Sequence, residues 1–288
     1  MADPVEEWRT DQERDGLLPN GIRRRVSEVR RFERHIAPLP LFDAQKHHVN
    51  SWIDSVRGSN GQPAAPRTRY IYLSILGCFY KWAILEELTD HNPTDRIKRP
   101  KQRRYLPRPM PSSDFEVAMA AAGPRMRAWL CLGALAGLRC MEIAGLDRAD
   151  VLDGHQPPIL VIRGKGGKDR TVPLHPMVLM ALQDVGLPAA GPLFTKRSGR
   201  RYSPQAVSSE LNTYLHGLGI TAVAHQLRHK FGTDIYRESD SDLRLTQELM
   251  GHESPATTAK YAAWNPVKGA AVVGQLSIRS LSSGQVVT

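Results

Sequence analysis

At 288 residues the chain has room for two domains or one large one, and an apolar fraction of 41% is that of an ordinary globular protein. Lys and Arg number 39 against 29 Asp and Glu, for a formal net charge of +10 and a pI near 9.7; such a surface favours a polyanion, with nucleic acid the first candidate. The three cysteines, Cys78, Cys131 and Cys140, form no CxxC pair, which argues against a disulfide framework or a thiolate zinc site and fits reduced cytosolic thiols. The acidic, polar start MADPVEEWRT is no signal peptide, and the longest apolar run, AWLCLGALAGL, is too short to span a membrane and carries two glycines. The expected compartment is the cytoplasm.

In chain order, residues 20–37 place Ile22, Val26, Val29, Phe32 and Ile36 at helical spacing, with Asn20 as the expected N-cap. The other face carries Arg23, Arg24, Arg25, Arg30, Arg31 and Arg34 against only Glu28 and Glu33. A solvated face usually mixes signs, so this helix is expected to face phosphates. A second helix fits FDAQKHHVNSWIDSVR with Val49, Trp52, Ile53 and Val56 inward, and GSNGQPAAP ends it. A third fits residues 66–88, apolar almost all round, with Arg67 and Arg69 at an N-terminus that itself favours phosphate. Residues 96–110, RIKRPKQRRYLPRPM, hold Arg96, Lys98, Arg99, Lys101, Arg103, Arg104 and Arg108, three prolines and no acid. They are expected to run as an extended basic linker along phosphates rather than to pack in a core. The domain plan is thus an N-terminal helical domain over 1–95, a linker over 96–111, a second domain over 112–264 and a weakly patterned tail over 265–288.

The second domain opens with a Ser113/Glu116 capping box. An apolar helix is expected over 125–138 and a short one at CMEIAGL. PILVIRGKGGKDRTVPL reads as a β-hairpin around a Gly-rich turn. Helices follow over 176–186, 204–217, 225–238, 242–250 and 255–263, with Ser203-Pro204 and Ser254-Pro255 as N-cap and N1-proline starts.

The polar residues able to do chemistry are scattered. Arg139 follows an apolar helix and a glycine, so its guanidinium needs an anion, either Glu142 or a phosphate. Lys165 sits on a hairpin turn, where a lysine is more often simply exposed; GKGGK lacks the rest of a Walker pattern. His225 and Arg228 share a helix face and suit the non-bridging oxygens of a phosphate. His225 with His229 imitates an HxxxH metal pair, but no carboxylate ligand pattern accompanies it, and no metal is expected. His252 and Tyr261, taken alone, read as packing residues. Together, two Arg, one Lys, two His and one Tyr in a basic protein suit one reaction: attack of a tyrosine on a DNA phosphodiester. Two guanidiniums neutralise the charge gathering on the non-bridging oxygens, a lysine protonates the leaving 5′-oxygen, and a histidine assists the phenol. No cofactor is needed.

The order GLRCMEI, GKGGKDRTVPL, HQLRH, MGH and a tyrosine nine residues after that last histidine resembles the tyrosine recombinase (phage integrase) family, which includes lambda-type integrases and bacterial Xer recombinases. The motifs cover residues 139–261, and the helical first half and basic linker match the family's organisation. The resemblance implies a mainly α fold with a small antiparallel β-sheet: an N-terminal helical, SAM-like core-binding domain and an α+β catalytic domain, clamped around duplex DNA. It implies Arg139 and Arg228 clamping the scissile phosphate, Lys165 as general acid (with Lys168 as competitor), and His225 in proton transfer. His252 would contact the phosphate, Tyr261 would form a 3′-phosphotyrosyl bond, and Glu142 would support. The expected DNA contacts are Arg23, Arg24, Arg30, Arg31, Arg67, Arg69, Arg99, Lys101, Arg103 and Arg104. The implied partners are double-stranded core sites in a bacterial host, three further protomers in a tetramer acting through a Holliday junction, and, optionally, an accessory DNA-bending protein. The tail is the candidate protomer contact. With only about 15–20 residues before the Arg-rich helix, no arm-binding domain is expected, as in short phage integrases and Xer proteins. The leading expectation is an integrase of a phage or mobile element; the alternatives are a chromosomal Xer-type dimer-resolving recombinase and, from another class, a DNA-binding module without catalysis. A type IB topoisomerase shares the chemistry but explains the two-domain plan less well.

Overall fold

The computed structural model describes residues 3–58, 60–100, 108–164 and 169–251, and the chain divides into two compact units, Met1–Arg104 and Tyr105–Thr288.

The first unit is helical: α1 (Pro4–Arg14), α2 (Pro19–Ile36), α3 (Lys46–Ser55) and α4 (Pro66–Leu85). Its core joins Val5 and Trp8 of α1, Val29, Phe32 and Ile36 of α2, Trp52 of α3 and Leu76, Phe79 and Tyr80 of α4. Trp8 meets Phe79 edge-on at 5.3 Å, and Phe32 meets Trp52 at 5.4 Å, a geometry that aligns ring edge with ring face. The buried Tyr80 hydroxyl donates to the Leu41 carbonyl at 2.6 Å.

Several sequence expectations need correction here. Helix α1 went unread, although DPVEE carries its start signal: Asp3 caps the Val5 amide at 3.0 Å, Pro4 occupies the first turn, and Glu6 and Glu7 complement the helix dipole. Asn20 is not the cap of α2. That helix starts one residue earlier, at Pro19, whose ring presets the helical φ, and Leu18 stands at the cap position without a side-chain bond. The second helix is shorter than FDAQKHHVNSWIDSVR, because Leu41–Asp43 form a separate 3-10 turn and Gln45 is extended. The four residues expected inward, Val49, Trp52, Ile53 and Val56, are all buried.

The second unit contains α5 (Ser112–Ala121), α6 (Pro124–Leu135), α7 (Cys140–Gly145), β1 (Val151–Leu152), β2 (Ile159–Ile162), β3 (Arg170–Pro173), α8 (Pro176–Val185), α9 (Pro204–Gly217), α10 (Ala224–Glu238) and α11 (Leu243–Met250). The strands form an antiparallel sheet in the order β1-β2-β3, with Ile159 opposite Pro173 and Ile162 opposite Arg170. The β2–β3 hairpin is the one the sequence predicts; β1 was not foreseen, since two residues are too few to show alternation. Helix α6 is the centre of the core. Trp129, Leu130, Cys131 and Leu132 are fully buried in succession, so all sides of the helix are covered. Trp129 meets Tyr202 and Phe194 edge-on at 5.0 and 5.9 Å.

Two further expectations fail. No Ser113/Glu116 box forms, because α5 begins at Ser112 with Pro111 at its cap position. Met110, read as part of a linker unable to pack, is 2% exposed in the second core, and its amide donates to the Gln226 carbonyl at 3.2 Å. A thioether between two prolines still packs, because only its flanking charges demand water. Ser203 does cap α9, accepting from the Ala206 amide at 3.2 Å. The expected helix over 255–263 and the middle of the linker lie outside the described residues. No described helix is long and apolar enough to cross a membrane.

Candidate active site

The site is built on one carboxylate. The chain leaves α6 through Gly137, whose φ of +68 lies in the left-handed region. A Cβ there would meet the Phe231 ring of α10 at 2.3 Å, so both the turn and the close packing demand glycine. Arg139 follows, just before the first residue of α7. Glu142, three residues on, reaches back to the Arg139 amide at 2.8 Å, one half of a capping box. The same carboxylate accepts from Arg139 Nη1 at 2.8 Å.

A second guanidinium arrives from the sheet. Arg170, the first residue of β3, donates through Nη1 and Nη2 to the two Glu142 oxygens at 2.9 and 3.0 Å. A third comes from α10. Leu227 and Phe231 of that helix turn into the core, and Arg228 turns with them to become 2% exposed. Its Nη1 lies 3.7 Å from Glu142 and donates to the Gly137 carbonyl, and its Nη2 donates to the Met250 carbonyl at the end of α11. Burial pushes the Glu142 carboxyl up, but hydrogen bonds from Arg170 and the Arg139 amide, with the charges of Arg170 and Arg228, overcome this and bring its pKa down to about 2. Glu142 is therefore a permanent anion that orients three cations.

His225, one turn before Arg228 on α10, packs edge-to-face on His229, with ring centroids 4.6 Å apart. Its pKa is lowered by desolvation and then by the positive fields of Arg228 and Arg139. The imidazole is thus neutral at pH 7 and able to accept a proton.

Of the residues singled out from sequence, Arg139, Glu142, His225 and Arg228 are brought together. Lys165, Lys168, His252 and Tyr261 lie outside the described residues. The lysine turn is bracketed by a hydrogen bond from the Gly164 amide to Asp169 at 3.1 Å, and Gly251, the C-cap of α11, immediately precedes His252. Arg170 was missed. Its signal was available: strand period two puts Arg170 on the same face as the buried Val172, so this arginine had to find a buried anion.

The arginines expected on DNA divide into two groups. Arg23, Arg24 and Arg67 are exposed. Arg30, however, pairs with Asp3 and, at 2.8 Å, with Glu33; Arg31 pairs with Glu28 at 2.8 Å and lies over the Tyr72 ring; Arg69 pairs with Asp54. The acids of α1, overlooked in sequence, supply part of the missing negative charge. Arg99 lies over the Tyr70 ring, 5.7 Å from its centroid. Lys101, Arg103 and Arg104 lie outside the described residues.

Three guanidiniums around one buried carboxylate, with a neutral imidazole beside them, are the equipment of an enzyme that handles phosphodiesters. Residues 111–267 match the phage integrase family, and the chain belongs to that family of tyrosine recombinases, enzymes that cleave and rejoin DNA. It is 28% identical over 274 residues to the tyrosine recombinase XerC of Myxococcus xanthus, covering 87% of this chain and 89% of that one. Its fold is similar to that of a lambda integrase fragment solved as a dimer bound to a COC′ core site, with a TM-score of 0.72, 16% identity, and coverage of 91% and 96% of the two chains. It is similar too to a lambda integrase tetramer bound to a Holliday junction, with a TM-score of 0.70, 16% identity, and coverage of 91% and 78%.

Proposed function

We propose that the protein is a site-specific recombinase that acts on double-stranded core sites through a 3′-phosphotyrosyl intermediate. In the first step the Tyr261 oxygen attacks the scissile phosphorus. A P–O bond to tyrosine forms, the bond to the 5′-oxygen breaks, and Lys165 supplies the proton that makes the leaving group a 5′-hydroxyl. His225 accepts the phenol proton, His252 contacts the phosphate, and Arg139 and Arg228 neutralise the oxygens on which charge builds. Attack by a 5′-hydroxyl from the partner duplex reverses these changes and joins the new strand. The bond energy is conserved in the phosphotyrosyl linkage, so no ATP is needed.

The observation that carries this reading is the convergence of Arg139 and Arg228 on Glu142, with His225 in their field and Arg228 bonded to the Met250 carbonyl at the end of α11, immediately before the His252–Tyr261 segment. Four copies acting on two core sites through a Holliday junction complete the reading; the similar lambda integrase tetramer is bound to such a junction. The family match fits an integrase of a phage or mobile element and a chromosomal dimer-resolving recombinase alike; the XerC name of the relative that spans nearly the whole chain favours the latter as a second reading.

The test begins with footprinting to identify the core site, followed by incubation with a nicked suicide version of it. Wild type is expected to trap DNA covalently and Tyr261→Phe is not; an adduct in the variant would assign the nucleophile elsewhere. Lys165→Ala should slow cleavage and regain speed when sulfur replaces the 5′-oxygen, whereas no recovery transfers the acid role to Lys168. Efficient joining of two dissimilar molecules supports integration, and exclusive resolution of directly repeated sites supports the second reading.

A further inference from the structure

Arg170 has no part in the chemistry just described, yet it spends all three guanidinium nitrogens on protein atoms. Nη1 and Nη2 hold Glu142, and Nε donates to the Leu249 carbonyl at 3.2 Å. Its side chain is 10% exposed. These bonds join three stretches remote in sequence: the start of β3, the first turn of α7 and the last turn of α11. Carbonyls in a last helical turn lack intrahelical donors and sit at the negative end of the dipole, so they are natural acceptors for arginine. Here two consecutive ones are taken: Leu249 by Arg170 and Met250 by Arg228. Both arginines also face Glu142.

The end of α11 is shaped to fit. Gly251 adopts φ 59 and ψ 51, the left-handed conformation of a C-cap. A Cβ there would lie 2.7 Å from Arg170 Cδ, 3.1 Å from Nη1 and 3.2 Å from Nε. Three hydrogen bonds hold that guanidinium, so its stem cannot yield without loosening the grip on Glu142 and Leu249.

We propose that Arg170 is a positioning residue for strand cleavage. It fixes the end of α11, from which the chain continues through His252 to Tyr261, to the same carboxylate that orients Arg139 and Arg228. This rests on the reading of Tyr261 as nucleophile. The phosphate clamp and the point from which the Tyr261 segment departs then share one reference point, and a misplacement of about 1 Å between reacting groups costs roughly a hundredfold in rate. A lysine keeps the charge but lacks the planar fork that reaches both Glu142 oxygens and a carbonyl together.

The test uses the full-length chain and the nicked core site. Arg170→Lys and Gly251→Ala are compared with wild type for melting temperature, DNA affinity and single-turnover adduct formation at saturating DNA. Each is expected to bind DNA as wild type does and to form adduct about ten to a hundred times more slowly. Sulfur at the 5′-position should not restore that rate, although it restores Lys165→Ala. Both substitutions break one junction, so the double variant should be no slower than the slower single one. Adduct formation at the wild-type rate in Arg170→Lys overturns the proposal, as does a slow rate that follows weaker DNA binding or is repaired by sulfur. If Arg170→Lys fails to fold, Gly251→Ala, which leaves the arginine in place, decides by the same criteria. Absence of a Tyr261 adduct in wild type is a separate result, obtained before any change at Arg170, and removes the functional reading itself.

Discussion

Several arginines of the first unit are paired at the surface: Arg30 with Asp3 and Glu33, Arg31 with Glu28, and Arg69 with Asp54, on carboxylates that, Glu28 apart, face solvent. In the second unit Arg139, Arg170 and Arg228 converge on Glu142, whose side chain is 6% exposed. Pairing at the surface spends these charges on solvated acids and contributes little, about 0–1 kcal/mol per pair. Three cations on one buried anion leave positive charge in excess among the described side chains, in a medium where each charge acts strongly. A count of basic residues treats the two regions alike; the ratio of cations to anions, and their burial, separates a phosphate-binding site from a solvated face.

The contrast can be broken most forcefully at Arg228. Arg228→Lys keeps the charge but not the forked donor set, and single-turnover cleavage at saturating DNA is expected to fall about a hundredfold to a thousandfold. A cleavage rate near wild type would mean that the buried cluster is structural. Glu142→Gln comes next. It leaves three guanidiniums without their anion and should cost about 3 kcal/mol in urea unfolding, whereas Asp54→Asn in the first unit should cost under about 1 kcal/mol.

Acid titration of stability sharpens the same point. The Glu142 carboxyl is held at about 2, below its ordinary 4.5. Its contribution is thus fully present above pH 4.5 and is lost as the pH falls through 2. Glu142→Gln should remove that part of the acid transition. Next is His225, whose pKa is lowered by desolvation and by Arg228 and Arg139. Cleavage that needs the neutral ring should persist below the ordinary histidine value of 6.5 before failing in acid. Arg139→Gln should move the His225 titration, followed by proton NMR, up toward that value. An unmoved titration would separate His225 from the arginine field. The smallest effects belong to the first unit. Arg24 is exposed and has no acidic partner among the described residues, so Arg24→Ala should reduce the slope of log affinity against log salt by about one. Arg30→Ala should change it less, because Asp3 and Glu33 already occupy that charge.

What the sequence determined by itself was whatever depends on local order. Apolar spacing located α2, α4 and α6, Ser203-Pro204 marked the start of α9, and the Gly-rich turn between apolar runs marked the β2–β3 hairpin. Arg139, Glu142, His225 and Arg228 could be named because their motifs follow one another in order. The start of α1 was equally legible in Asp3-Pro4 and passed over, and with it the acids that neutralise Arg30. Tertiary structure alone decided which cations meet which anions. Nothing local links Arg170 to a glutamate 28 residues away and to the Leu249 carbonyl 79 residues away; only the packing of β3, α7 and α11 around one core brings them within hydrogen-bond reach. The physical reason is that hydrophobic periodicity is written along the chain, whereas the partner of a buried charge is selected by whatever the fold places beside it.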